Sequence, residues 1–380
     1  MFRLLRKEQV FRRHVSRLKP TLTDANKWWR LEWAVDKIDP LSTKKTHSTR
    51  STPKLVHRNL MNEAHLDEKW FFLCEEGARH ILVSDEKDPV RTVKHKSHIS
   101  KVLFMCCQAR PRWLSDERRW WDGKLGMWPI GEWTVAQRSS ANGPAGTPEW
   151  QNTSVTGEVC LQILLEKMVP SMIQNWPKSQ FDSDAFRITL QQDGAKAHTG
   201  REMLPSFKTE MRRLARLDVL PRADKIQLVA QPANSPDCDI CDLGFFRAPQ
   251  SVHCQEAPRN VGELITMVED AHNDHSFRKI NRIWVTYQSV LNEIIQCNGG
   301  NDYHIPHMNK NKLEKEGKLP ECLEVCKSGE SWLKELHPHL EQNIDNAAQQ
   351  EDTSSDGSFA QEHAELNVHP SEWEHLFVTD

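Results

Sequence analysis

Residues 186–190 alternate apolar and polar side chains (Phe186, Ile188, Leu190) and run straight into Gln191-Gln192-Asp193-Gly194. That alternation is the period of a strand with one face buried. Gly194 has no Cβ to penalise a positive φ, so the chain can turn away directly after the carboxylate. An acid at the mouth of a buried strand is held rigidly yet faces solvent, which suits a metal ligand. Asp193 could equally end the strand as an ordinary turn former. The other acids of the chain bear on that choice.

Residues 59–73, NLMNEAHLDEKWFFL, read as a second strand with Asp67 near its middle and three aromatics at its end. A carboxylate within a strand-like run conflicts with burial unless its charge is compensated. A metal ion is one compensation, and a salt bridge to Lys69 or Arg79 is the other. Further strands are expected at 80–83 and 101–107, giving an antiparallel meander, and at Ile226–Ala230. Helices are expected over 21–38 (Thr23 as cap; Trp28, Leu31, Val35 and Ile38 on one face), 157–176 (kinked or restarted at Pro170) and 201–217. Asn260-x-x-Glu263 has the pattern of a capping box, and a longer helix carrying Ile280, Trp284, Tyr287 and Leu291 closes at Asn298-Gly299-Gly300. Residues 110–150 have little periodicity. Their tryptophans interleave with Arg110, Arg112 and Arg138, a mixture suited either to stacking on bases or to a small aromatic core.

Charge is unevenly spread. Residues 1–60 hold 15 Lys/Arg against 5 Asp/Glu, whereas 341–380 hold 10 acids and no Lys or Arg. The head is either a polyanion-binding element or a solvated helix face, and the tail is expected to be disordered. No apolar run approaches the roughly 18–20 residues that a bilayer requires. Charges interrupt the N-terminus too often for a signal-peptide core, so a reduced, soluble, intracellular protein is expected. Cys238-x-x-Cys241 with His253 and Cys254 has a faint zinc-site spacing.

The strand and helix order predicts an α/β fold in which a mixed sheet brings Asp67, Asp193 and Asp242 to one point. Clustered carboxylates repel and raise one another's pKa unless cations neutralise them. Oxygen ligands of this kind select Mg²⁺ or Mn²⁺. Two such ions roughly 4 Å apart can activate water or a 3′-hydroxyl and stabilise the oxygen that leaves a phosphodiester.

The blocks HLDEKWFFL, KSHISKVLFMCCQARPRW, DGKLGMW followed by AQR, QQDGAKAH, QPANSPDCDICDLGFF and GGNDYHIPHM resemble the successive blocks of mariner-type transposases, closest to the plant-like and oomycete-like branch. The resemblance runs from about Lys7 to Pro320. It implies a ribonuclease H-like five-stranded mixed sheet flanked by helices, at residues 56–300. Flanking this would be a helical remnant of the DNA-reading region at 1–55, a helical extension at 301–340 and an acidic tail at 341–380. It implies that Asp67, Asp193 and Asp242 are the catalytic, metal-binding triad, holding two Mg²⁺ or Mn²⁺ ions, with Asp237 and Asp239 as weaker competitors for the third place. It implies cut-and-paste transposition of DNA in the nucleus, with transposon ends and TA target sites as partners, a homodimer as one assembly, and no membrane or small-molecule substrate. Lys96, Arg110, Arg112, Arg138, Lys196 and His198 are the expected contacts to nucleic acid. The alternative is a domesticated, catalytically idle remnant that only binds nucleic acid. Departures from the family pattern are Gly194 for Asn, Ala197 for Pro, 48 residues between the second and third acids, and a start within the second helix-turn-helix module.

Overall fold

The computed structural model describes residues 19–40, 42, 54–73, 99–139, 144–194, 203–247, 250 and 258–337. Five strands build the central sheet: β1 (Glu63–Phe72), β2 (Lys101–Ala109), β3 (Lys124–Pro129), β4 (Ile188–Gln192) and β5 (Ile226–Ala230). They lie in the order β5-β4-β1-β2-β3. Antiparallel pairing joins β1 to β2 and β2 to β3, while β4 runs parallel to both β1 and β5. Three antiparallel strands continued by two parallel ones, with helices on both faces, make the ribonuclease H-like sheet. Parallel neighbours need long crossovers, and the helices between β3 and β4 and between β4 and β5 supply them.

β2 is buried at every position after Lys101, as a central strand covered on both faces must be. β1 divides its side chains between the faces. Ala64 and Leu66 join the core on one side; there, Cys160, Met168 and Met172 of α2 (Gly157–Ile163) and its continuation to α3 (Val169–Asn175) meet Phe207 and Met211 of α4 (Met203–Arg216). The other face packs Phe71 and Phe104 against α1 (Asp24–Asp36), α5 (Val261–Asn273) and α6 (Phe277–Gln296).

Local chemistry sets the helix ends. The Thr23 hydroxyl accepts the Asn26 amide (3.2 Å) and opens α1, and the Asn260 side chain accepts the Glu263 amide (2.9 Å) to open α5. The helix runs on past Pro170: one π-helical turn, Leu164–Met168, joins α2 to α3 with helical backbone angles at Ile163, Met168 and Val169, and this bulge takes up the proline's missing N–H. α6 ends at Gly299 (φ +80°), whose N–H reaches the Ile294 carbonyl at 2.8 Å. A Cβ on Gly299 would stand 1.7 Å from the Lys27 carbonyl oxygen, so this close approach of α6's end to α1 demands glycine.

Three expectations change. The antiparallel neighbour of β1 is β2 itself, with β3 outside it, and the strand expected at 80–83 lies outside the described residues. The described parts of 110–150 hold, besides β3, the paired strands Arg112–Leu114 with Arg119–Trp121 and Gly131–Val135 with Pro148–Asn152. Trp28 is 47% exposed although it shares the α1 stripe, and it meets Trp332 edge-on. The segments expected to flank the sheet both pack on its core: Leu31, Ala34, Val35 and Ile38 from one side, Val325, Trp332 and Leu333 from the other. Residues 1–18 and the acidic 341–380 lie outside the described residues.

Candidate active site

Register brings the first two acids together. β4 and β1 are parallel with Gln191 level with His65 and Gln192 level with Leu66, so Asp193 follows level with Asp67. Side chains alternate between faces, and paired residues on adjacent strands share a face. Gln191 and His65 therefore share the side of the sheet occupied by α6, and Asp193 leaves the end of β4 beside the part of β1 that carries Asp67, on strands about 4.8 Å apart. The third acid comes from the chain after β5. Gln191, wholly buried, donates to the Gln231 side chain (2.9 Å) and to the Cys238 carbonyl (2.8 Å). These bonds tie the tip of β4 to the turn that leads into Cys241–Phe245, where Asp242 sits on an exposed position of the first turn.

The electrostatics couple Asp67 to Asp242 and Asp242 to Asp193. The Asp67 carboxyl, anchored by the Glu68 amide (2.8 Å), is pushed up to about 10, first by burial and then by the charges of Asp239, Asp242 and Glu68. Asp242 is raised as well, by desolvation and by Asp239 and Asp193, against the pull of Lys69. Asp193 also acts on Cys160 at the start of α2, whose buried thiol is pushed up to about 12. Lys69, the salt-bridge candidate for Asp67, thus exerts its charge on Asp242, and Arg79 lies outside the described residues. Among the described residues, no three His, Cys, Asp or Glu side chains are spaced to hold a metal ion. The donor chemistry nevertheless fits a hard divalent cation: the acids offer oxygen only, and their mutual repulsion is what such a charge would relieve.

Beneath these acids lies a buried chain that sequence reasoning did not find. Lys37 donates to Glu63 (2.7 Å), the second Glu63 oxygen is 3.9 Å from His65 Nε2, and His65 Nδ1 is 3.4 Å from Asp239 Oδ1. The Ile240 amide donates to the same Nδ1 (3.2 Å), so the neutral ring carries its proton on Nε2, toward Glu63. Burial works to lower the His65 pKa, but Asp239 and Glu63 outweigh it and the net direction is upward. Burial likewise opposes Glu63, yet Lys37 and His65 bring it down to about 2. Asp239, 1% exposed, accepts the Cys241 amide through Oδ1 (2.7 Å), and its Oδ2 has no partner among the described residues. The signal was present in the sequence: Glu63, His65 and Asp67 at alternate positions put three ionisable groups on one face of a buried strand.

Of the two competitors for the third position, Asp237 is committed elsewhere. Arg30 grips both its oxygens (2.7 and 2.8 Å), and the Tyr303 hydroxyl donates to one of them. Cys238 and Cys241 are core residues whose thiols burial pushes upward, which opposes the thiolate form that zinc needs; His253 and Cys254 lie outside the described residues.

Two of the expected nucleic-acid contacts are corrected. Arg110 is fully buried and donates to the carbonyls of Asn59 (2.5 Å) and Glu321 (2.7 Å). Arg112 donates to the Met61 carbonyl and to Gln180 Oε1 (2.5 Å), and its guanidinium lies over the rings of Trp121 (4.5 Å) and Trp176 (5.2 Å). Both satisfy backbone acceptors inside the fold, so neither faces a ligand. Arg138 is exposed, in the turn between Gly131–Val135 and Pro148–Asn152; Lys96, Lys196 and His198 lie outside the described residues. The tryptophans divide similarly: Trp121 is buried against Trp176, while Trp113, Trp120 and Trp133 are exposed.

No family model matches the chain. No curated protein matches it either. Among solved structures, the chain is similar to a pre-cleavage Mos1 transpososome (13% identity, TM-score 0.49, covering 80% of this chain and 71% of that one). It is also similar to the Mos1 mariner paired end complex with Mn (14%, 0.48, 77% and 68%) and to the catalytic domain of Mos1 mariner transposase (12%, 0.43, 76% and 100%).

Proposed function

We propose that the chain is a DNA-cutting and strand-joining protein of the mariner transposase type, with Asp67, Asp193 and Asp242 as its catalytic acids. The observation that supports this reading is the pairing of β4 with β1, which brings the chain out of β4 at Asp193 beside the strand that carries Asp67, together with the charge coupling of Asp242 to Asp193. The six sequence blocks that resemble mariner transposases support it independently of the geometry.

Mg²⁺ or Mn²⁺, two ions in this reading, would be held by Asp67, Asp193 and Asp242 and would supply Lewis acidity for phosphodiester hydrolysis and transfer. The chain's own contribution is to hold three oxygen donors in place and to keep them short of neutralising charge. The Glu68 amide fixes the Asp67 carboxylate, and Gln191 fixes the turn that carries Asp242. Asp239 holds the backbone before Asp242 through the Cys241 amide. DNA, as transposon ends and TA target, is the partner in this reading, a homodimer the assembly and the nucleus the compartment.

The second reading, a remnant that binds nucleic acid without cutting it, is favoured by the absence of a closed three-acid metal set among the described residues. Nicking of supercoiled plasmid in Mg²⁺ or Mn²⁺ decides between them. Metal-dependent nicking that drops at least a hundredfold in Asp193→Ala is expected; equal, metal-independent binding without nicking would leave the idle remnant.

A further inference from the structure

We infer that the outer face of α4 and the loop after it form a phosphate track for the backbone of duplex DNA, away from the carboxylate site. α4 buries Phe207, Met211 and Leu214. Lys208, Arg212 and Arg216 recur every fourth residue on its solvent side, so they line up as one stripe about 12 Å long. None of the three has a hydrogen-bond or ion-pair partner among the described residues. The only acid in the helix, Glu210, lies off the stripe and is held by Arg213 (2.6 and 2.7 Å). Beyond the helix, Arg212 and Arg216 open onto a depression of about 450 Å³ that Arg222 and Asp224 also line. Arg222 lies across the Phe181 ring (5.2 Å), which fixes the end of the track.

A cation in the last turn of a helix is commonly explained by the macrodipole, whose reach is a single turn. That accounts for Arg216 but not for Lys208, two turns earlier, or for Arg222 in the loop. The guanidinium groups of Arg212 and Arg216, one turn apart, match phosphodiester oxygens, which such groups bind bidentately. Phosphates along one strand of DNA recur about every 3.4 Å of axis, so a 12 Å stripe spans about three to four of them. The direction is also informative. β4 ends at Asp193 and β5 runs parallel to it, so α4 returns from the carboxylate end of the sheet toward the opposite end. The stripe therefore leads away from the three acids for about 12 Å, roughly three to four base pairs of flanking duplex. This placement relative to a cleavage point rests on the proposed function; the affinity for phosphate follows from the stripe alone.

The test is fluorescence anisotropy with a 30-base-pair duplex of arbitrary sequence in EDTA, titrated at several salt concentrations. In Lys208→Gln/Arg212→Gln/Arg216→Gln, the slope of log K against log salt is expected to fall by roughly 2–3 and the affinity in 100 mM salt by at least about tenfold. Arg213→Gln, which removes a paired guanidinium, is expected to leave both unchanged, and Arg212→Gln alone to lower the slope by about 0.9. A folded triple variant with the slope and affinity of the parent overturns the inference. So does a parent chain that does not bind duplex, or a polyglutamate peptide that binds as tightly as the duplex. Plasmid nicking at saturating protein keeps the two proposals apart: a parent that never nicks but shows stripe-dependent binding loses the catalytic reading only. A parent that nicks and whose binding ignores the stripe loses the track only.

Discussion

Removing the charge of Asp67 should stabilise the metal-free protein. Its carboxyl titrates near 3.8 when unperturbed and is pushed up to about 10 in the fold, by burial and by Asp239, Asp242 and Glu68. Between those values the folded chain binds a proton that the unfolded chain does not, so stability falls as pH rises through the window. At pH 7 the separation from 3.8 is about three units, an upper bound of about 4 kcal/mol at 1.36 kcal/mol per unit. Asp242 is raised in the same field and takes part of the proton's load, so about 2 kcal/mol is the effect expected at residue 67. Asp67→Asn retains an oxygen for the Glu68 amide and removes the charge. Urea unfolding in EDTA should find the variant more stable by about 2 kcal/mol at pH 7, with the gain fading toward pH 4. Excess Mg²⁺ should reverse the order, because an ion bound only by the folded parent adds about 2.7 kcal/mol at a hundredfold excess over its Kd. A variant less stable than the parent in EDTA at pH 7, or a gain that does not vary with pH, would refute the reasoning.

Two predictions concern the scaffold. His57, His272 and His275 are buried and their pKa values are lowered to about 4, in each case first by burial. The unfolded imidazoles take up protons near 6.5 and the folded ones do not until about 4, so stability is lost on acidification through that window, by about 2 kcal/mol per histidine at pH 5. Urea midpoints at pH 7 and pH 5 should differ accordingly, with Asp67 offsetting part of the loss, and His272→Gln/His275→Gln should shrink the difference; a midpoint indifferent to pH would count against it. Arg30→Met should cost about 3–5 kcal/mol in thermal or urea unfolding, since it strands Asp237 inside the fold and frees the Gly299 carbonyl; a loss under 1 kcal/mol would mean that the pair is solvated.

What could be read from the sequence was whatever is local. β5 falls on the residues expected for it, and the Thr23 and Asn260 caps are set by neighbours within four residues. Residues 110–150 defeated the same reasoning because their partners are remote. Arg110 is bonded to carbonyls 51 and 211 positions away, and Arg112 to one 51 away. Nothing nearby in the sequence separates an arginine that fills a buried hole from one that waits for phosphate. The hairpin strands there also lack apolar alternation, because stacked tryptophan and guanidinium groups do the packing that aliphatic residues do elsewhere. For the three acids, spacing nominated candidates, and only the pairing of β4 with β1 shows which strand ends lie side by side.

The same register explains why α1 belongs to the site rather than to a flank. Lys37 caps α1 and neutralises Glu63, and Glu63 and Asp239 between them hold His65 at the root of the strand that carries Asp67. Buried charges survive only when each finds an opposite: Lys37 answers Glu63, and the His65 ring lies between Glu63 and Asp239. Asp239 is the last member, and its free Oδ2 and its action on both Asp67 and Asp242 leave the negative end of the series facing the carboxylates. A cation beside those carboxylates would answer that negative end, so the helix at the start of the described chain and the acids at the tips of the sheet are linked through Glu63, His65 and Asp239. Loss of Lys37 should therefore disturb Asp67 even though the two side chains need never touch.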